Sequence, residues 1–273
     1  MSWWAIDVRA APEHRATVGA WLVARTGHAV EERDDGLLIG FAADEAEAAR
    51  LVEELASAAA VAERRPVAPV DWTVRWRDGL GPRRIGRLTV SPSWVPLPPD
   101  AEPCVVLDPE MAFGSGEHGS TRTALSLLER YVRRGDRMLD LGSGSGILAI
   151  AAVKLGALRA TGIDNDAEAR KVAERNAARN GVSRVVRFLE GDAAALTPLV
   201  GPVELICSNI LRTVNTSLLS SVRLALARNG VAVFAGMESA EADQFRSALA
   251  EAGFVVIGET TDAGWWGVAA RPG

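Results

Sequence analysis

The amino-acid sequence predicts an α/β protein in two parts, a doubly wound parallel sheet preceded by a small ferredoxin-like α+β amino-terminal domain. Three observations lead there. From Arg137 onward, short apolar runs alternate with stretches of helical spacing, which is the pattern of strand–helix–strand units. One of those runs enters a glycine-rich turn, Gly142-Ser143-Gly144-Ser145-Gly146, that opens a helix. The opening residues read instead as strand, helix, strand, strand, helix, strand, the order of a ferredoxin-like unit.

Trp3 to Val8 is an apolar-rich strand. Glu13 to Thr26 places Val18, Trp21 and Leu22 at helical spacing, and Gly27 stops the helix. Asp34-Asp35-Gly36 is turn chemistry that closes a hairpin between Val30–Arg33 and Leu37–Phe41. Ala43 to Ala60 is an alanine-rich helix with Leu51, Val52 and Leu55 on one face, and a last strand is expected near Val67 to Val74. Residues 1–75 are therefore expected to form a substrate-recognition domain.

Residues 76–103 are rich in proline (Pro82, Pro92, Pro96, Pro98, Pro99, Pro103), which interrupts helices and disfavours central strands. They read as an extended linker with some strand in it, with Trp76 and Trp94 able to pin it down. In residues 104–273 the expected strands are Arg137–Leu141, Ala160–Asp164, Val185–Glu190, Val203–Ser208, Gly230–Ala235 and Phe254–Thr260. Helices Ile147–Leu155, Ala167–Asn180 and Ser239–Ala252 fall between them, and Gly264–Ala270 follows as a segment able to run antiparallel.

Composition narrows the function classes. The 273 residues exceed the usual single-domain size, and a hydrophobic share of 48% suits an ordinary core. No apolar run approaches the roughly 20 residues that span a bilayer. The start, Met1 to Asp7, lacks the basic lead and apolar stretch of a signal peptide, so a cytoplasmic location is expected. Cys104 and Cys207 belong to no Cys/His cluster and read as idle buried thiols; His14, His28 and His118 are scattered, so no metal site is expected. A net charge of −5 and a pI near 5.4 offer no basic face for nucleic acid and favour a cationic partner.

The glycine turn is where a ligand belongs, because a doubly wound sheet binds beyond the carboxyl ends of its strands. Glycines let the backbone approach, and the helix amino terminus offers free N–H donors. A dinucleotide fold wants G-x-G-x-x-G, but Ile147 stands where the last glycine should be. The spacing here is G-x-G-x-G, preceded by Asp140. Asp164, ending the next strand, is a carboxylate able to accept both hydroxyls of a ribose.

This first motif resembles that of class I (Rossmann-like) methyltransferases, which implies S-adenosyl-L-methionine as cofactor and adds Asp192, after the third strand, as an adenine contact. Asp192 reads equally as a cap for the following helix. Two further stretches sharpen the resemblance: Leu107 to Thr121, containing Ala112-Phe113-Gly114-Ser115-Gly116-Glu117-His118-Gly119-Ser120-Thr121, and Ser208-Asn209-Ile210-Leu211. With Leu139 to Leu148 they are similar to the ribosomal protein L-eleven methyltransferase family (PrmA). Asp71-Trp72, Pro92-Ser93-Trp94 and Gly264-Trp265-Trp266 extend the likeness over nearly the whole chain. The sequence departs from that family at Ser115, Gly119 and Ser120, where Thr, Pro and Thr are common, and at Arg212, where a small residue is frequent.

The resemblance implies a cofactor site of Phe113, Gly114, Thr121, Asp140, Gly142, Gly144, Gly146, Asp164, Asp192 and Asn209. It places the Phe113 to His118 loop over the transferring methyl. It further implies methylation of lysine side chains and the α-amino group of a large-subunit ribosomal protein; a monomer with no direct nucleic-acid or membrane contact is expected. An activated methyl donor demands placement more than acid catalysis. Asn209 can orient the amine, and His118 is either a base or a structural hydrogen-bonding residue. The rival enzyme class methylates nucleic acid or another amine, and the non-enzyme alternative is a binding module that retains the fold. Against the nucleic-acid rival, Ile210 and Leu211 follow Asn209 where an aromatic would stack a flipped base.

Overall fold

The structure, a computed structural model, describes residues 3–26, 30–32, 36–56, 61–66, 81–108 and 118–273. The chain divides into two compact units, Met1–Asp78 and Gly79–Gly273.

In the first unit, β1 (Trp4–Arg9), α1 (Arg15–Thr26), β2 (Glu31–Glu32), β3 (Leu37–Ala42), α2 (Glu45–Ala56) and β4 (Val61–Pro66) follow in order. The sheet order is β2-β3-β1-β4, with β1 antiparallel to both of its neighbours. Ile6 and Val8 of β1 meet Val18 and Leu22 of α1 and Leu51 and Leu55 of α2 in one core. This is the ferredoxin-like arrangement. Among the described residues its fourth strand is Val61–Pro66, ahead of the expected strand Val67–Val74, which, like the turn residues Asp34 and Asp35, lies outside the described residues.

The second unit is built on a seven-stranded sheet of order β10-β9-β8-β11-β12-β14-β13. Its strands are β8 (Arg137–Leu141), β9 (Arg159–Asp164), β10 (Val186–Glu190), β11 (Val203–Asn209), β12 (Leu226–Glu238), β13 (Phe254–Asp262) and β14 (Trp265–Pro272). β14 runs antiparallel between β12 and β13, and the β8–β12 pairings are parallel. Helices α3 (Gly119–Tyr131), α4 (Ile147–Lys154), α5 (Ala167–Arg179), α6 (Ala193–Val200), α7 (Arg212–Ala225) and α8 (Ala242–Glu251) cover it. Strand periodicity sorts side chains into two layers. Met138, Leu205 and Cys207 join the core under α3, α4 and α5, whereas Leu139, Leu141 and Ile206 join the one under α7 and α8. Phe234 centres the second layer, edge-on to Phe245 at 5.3 Å and to Phe254 at 6.4 Å.

The stretch expected to be an extended linker is largely part of this unit. β5 (Arg83–Ile85), β6 (Leu88–Ser91) and β7 (Cys104–Val106) form a three-stranded sheet, and Ile85, Leu88, Val90 and Val105 enter the core beneath α3 and α4. Pro82, Pro92 and Pro103 bracket these strands instead of interrupting them, which composition alone did not reveal. Strand order reverses between β8 and β11, so the ligand position of a doubly wound sheet lies beyond the carboxyl ends of those two strands.

Candidate active site

A crevice of about 850 Å³ opens at that reversal, within the range of small-molecule sites. Its floor is the turn after β8. Gly142, Gly144 and Gly146 all have positive φ (70°, 49° and 80°), which a side chain would oppose. The Gly142 and Ser143 N–H groups donate to the Ile163 carbonyl, tying the turn to β9. The Gly144 N–H donates to Asp164 Oδ2 at 2.8 Å, and the Asp166 N–H to Asp164 Oδ1 at 3.0 Å. Each Asp164 oxygen therefore keeps a lone pair for a ligand hydroxyl.

Asp140 stands beneath the turn, 1% exposed. Its Oδ2 accepts from the Ala149 N–H at 3.1 Å. Burial pushes its carboxyl up to about 7, the Ala149 bond works against that, and the nearby Asp164 charge adds to it. Opposite, Asn209 ends β11, and its amide N–H lies 3.5 Å from Thr121 Oγ1 on α3. The peptide after Asn209 is braced by Asn215, fully buried, which donates to the carbonyls of Ile210 and Ala235 and accepts from Ser208 Oγ.

Three buried polar atoms on the crevice-lining residues have no hydrogen-bond partner among the described residues: Asp140 Oδ1, Ser143 Oγ and Asn209 Oδ1. Leaving such atoms unpaired costs about 1–3 kcal/mol each, so the crevice is built to receive polar ligand groups. The lining carries three carboxyl groups (Asp140, Asp164 and Asp192), serine hydroxyls, two asparagine amides and the glycine turn, with Ile147, Leu148, Ile163 and Leu218 as apolar walls. That donor set fits a nucleoside joined to an amino acid. Among the described residues no cluster of His, Cys, Asp and Glu could hold a metal ion, and the two cysteines are buried and free, with Cys207 pushed well up by burial.

Of the residues singled out from sequence, Asp140, Gly142, Gly144, Asp164, Asp192, Asn209 and His118 line the crevice. Asp192 also caps α6, accepting from the Ala194 N–H at 2.8 Å. Thr121 is fully buried behind Asn209, and Gly146 caps α4, where a Cβ would come within 2.7 Å of the Phe188 ring. Both support the crevice without being among its lining residues. Phe113 and Gly114 lie outside the described residues. On the far wall, sequence reasoning named Ile210, Leu211 and Trp265 only as parts of motifs and not as site residues, and it passed over Val214 and Ser217 near the start of α7. The position of α7, directly after a strand ending at the switch point, was the available signal.

A doubly wound sheet ordered this way, with a three-glycine turn, an acid at the end of β9 and a polar crevice at the reversal, defines a class I S-adenosyl-L-methionine-dependent methyltransferase. The family described as Ribosomal protein L11 methyltransferase (PrmA) matches residues 17–272. The chain belongs to that family. It is 38% identical over 226 residues to the ribosomal protein L11 methyltransferase of Pelotomaculum thermopropionicum, covering 82% of this chain and 73% of the relative. To that of Thermus thermophilus it is 42% identical over 200 residues, 71% of this chain and 75% of the relative. The crystal structure of the ribosomal protein L11 methylase of Lactobacillus delbrueckii subsp. bulgaricus superposes with a TM-score of 0.63 at 31% identity, covering 70% of this chain and 98% of that one.

Proposed function

We propose that the chain transfers methyl groups from S-adenosyl-L-methionine to lysine side chains and the α-amino group of ribosomal protein L11. The observation that supports this most is the trio of unpartnered buried polar atoms, Asp140 Oδ1, Ser143 Oγ and Asn209 Oδ1, on the lining of one crevice in a chain of this family. The glycine turn and Asp140 hold the amino-acid end of the donor, Asp164 its ribose hydroxyls, and the Gly191–Ala194 wall its base. Thr121 supports Asn209 from behind.

The donor, when bound, supplies a methyl group already activated by its sulfonium. The chain's task is then placement and removal of water from the acceptor. A lysine amine has a pKa near 10.4 in water, and an apolar, closed site lowers it toward the neutral nucleophile. Asn209 Oδ1 accepts a hydrogen bond from that amine and turns its lone pair toward the donor. His118 Nδ1 lies 2.7 Å from Ser120 Oγ, a bond that orients the ring as part of the wall.

The amino-terminal unit selects the substrate, and the acidic chain suits a basic ribosomal protein; the enzyme acts as a monomer without nucleic acid. Labelled donor incubated with the enzyme and separated ribosomal proteins and RNA tests the reading. Label on L11 supports it, and label confined to RNA overturns it in favour of a nucleic-acid methyltransferase. A chain beginning at Gly79 is expected to bind donor as the full chain does and to lose methylation of L11; retained methylation would refute the role of the first unit.

A further inference from the structure

Trp265 and His118 line one side of the crevice, next to the turn between β13 and β14. β13 and β14 are joined by a two-residue turn, with Asp262 paired to Trp265. Both central residues have positive φ, Ala263 at 49° and Gly264 at 82°, the hairpin geometry that matches strand twist but strains an alanine. The turn is fastened from two directions. Arg122 on α3 makes a bidentate pair with Asp262, its Nη2 3.0 Å from Oδ1, and the pair is partly shielded. The Gly264 carbonyl accepts from both the N–H and the hydroxyl of Ser239, at 2.8 and 3.0 Å.

The fastened turn brings Trp265 onto His118, with ring centroids 4.4 Å apart and planes tilted by 59°. Both rings line the crevice. Gly119 makes the approach possible: a Cβ there would lie 2.7 Å from the Asp262 carbonyl oxygen and 2.7 Å from Trp265 Cδ1. A half-buried tryptophan ring presents an apolar surface to a lysine stem and an electron-rich face to its ammonium.

We propose that Trp265 is a specificity-determining wall for the acceptor lysine, and that Arg122, Asp262 and Gly119 are positioning residues that hold it over His118. The inference rests on the reading of the crevice as a protein-amine methyltransferase site and names the residue that recognises the amine's side chain. Donor binding draws on the glycine turn, Asp140 and Asp164, which none of these residues touches through a described hydrogen bond. The two functions are therefore separable by measurement.

The test uses the full chain, purified L11 and S-adenosylhomocysteine as a donor-site probe. For Trp265→Leu, the KM for L11 is expected to rise at least tenfold while the dissociation constant of the probe, by calorimetry, changes less than twofold. Trp265→Phe should recover most of the loss. Arg122→Gln and Gly119→Ala should raise the KM in the same direction by severalfold, and Arg122→Lys less than Arg122→Gln. Should Trp265→Leu fail to fold, as judged by its thermal unfolding, Trp265→Phe and Arg122→Gln still decide. An unchanged acceptor KM, or a probe affinity that falls in step with it, overturns the inference while leaving the methyltransferase assignment intact. An unmodified enzyme that does not methylate L11 overturns both.

Discussion

Asp164 and Gly144 are joined by a 2.8 Å hydrogen bond that makes one carboxylate serve two purposes, fixing the shape of the glycine turn and facing the crevice from the end of β9. With its second oxygen accepting from the Asp166 N–H, the side chain is locked before any ligand arrives. Such preorganisation spares a ligand the cost of ordering its own partner.

Asp164→Asn should weaken donor binding by tenfold or more. One carboxylate oxygen becomes an N–H₂ that faces a backbone N–H instead of accepting from it, and the charge that strengthens bonds to hydroxyls is lost. Hydrogen bonds to charged groups are worth about 1.5–3 kcal/mol. Calorimetric titration with S-adenosylhomocysteine measures the change, and a loss below threefold would contradict this role.

Asp140 is expected to make donor binding proton-linked. Its carboxyl, ordinarily near 3.8, is raised to about 7 by burial. A raised value favours the protonated folded form. The stability this group contributes is thus complete below about pH 4 and is lost as pH rises through about 7. Asp140→Asn should flatten that part of the stability–pH profile. A cationic donor beside the carboxyl favours its ionised form, so binding near pH 6.5 should release a substantial fraction of one proton. Calorimetry in buffers of different ionisation enthalpy reads this directly; equal heats for the unmodified chain, after correction, would contradict it.

Asn209 is expected to matter for turnover more than for donor affinity. Asn209→Ala removes the amide that faces the crevice and leaves Thr121 Oγ1 without its 3.5 Å neighbour. A fall in kcat of about a hundredfold is expected, the scale of a misplaced reacting group, with the affinity for S-adenosylhomocysteine changing severalfold at most. Steady-state rates and calorimetry on the same preparation separate the two.

Asn215→Leu should be strongly destabilising despite lying one layer from the crevice. It strips partners from the buried carbonyl of Ala235, the partly buried carbonyl of Ile210 and the buried Ser208 Oγ. At about 1–3 kcal/mol for each buried group left unpaired, the loss should reach several kcal/mol. Denaturant unfolding measures it, and a change below about 1 kcal/mol would show that those groups find other partners.

The parts of the fold visible in sequence were those with local signatures. β8 spans Arg137–Leu141, as its apolar run into the glycine turn predicts, and the antiparallel last segment follows a recognisable turn at Ala263-Gly264. The small sheet of β5, β6 and β7 was obscured because its strands have only three or four residues between prolines, and because Leu88 and Val90 are recognisable as core only once α3 lies over them. In the crevice, Asp140, Asp164 and Asn209 were legible because each lies at or next to the carboxyl end of β8, β9 or β11, around the switch point. Trp265 was not, since it reaches His118 from 147 positions along the chain, and that meeting is made by the Arg122–Asp262 pair and the small size of Gly119.

The most direct test of methyl transfer at this crevice is the intact mass of ribosomal protein L11 after incubation with the enzyme and S-adenosyl-L-methionine, followed by fragmentation to locate the change. Mass gained in whole methyl increments on lysine and the α-amine, absent with Asp164→Ala, is the predicted result. An L11 mass that stays unmodified under conditions where the enzyme demonstrably binds the donor would contradict the account.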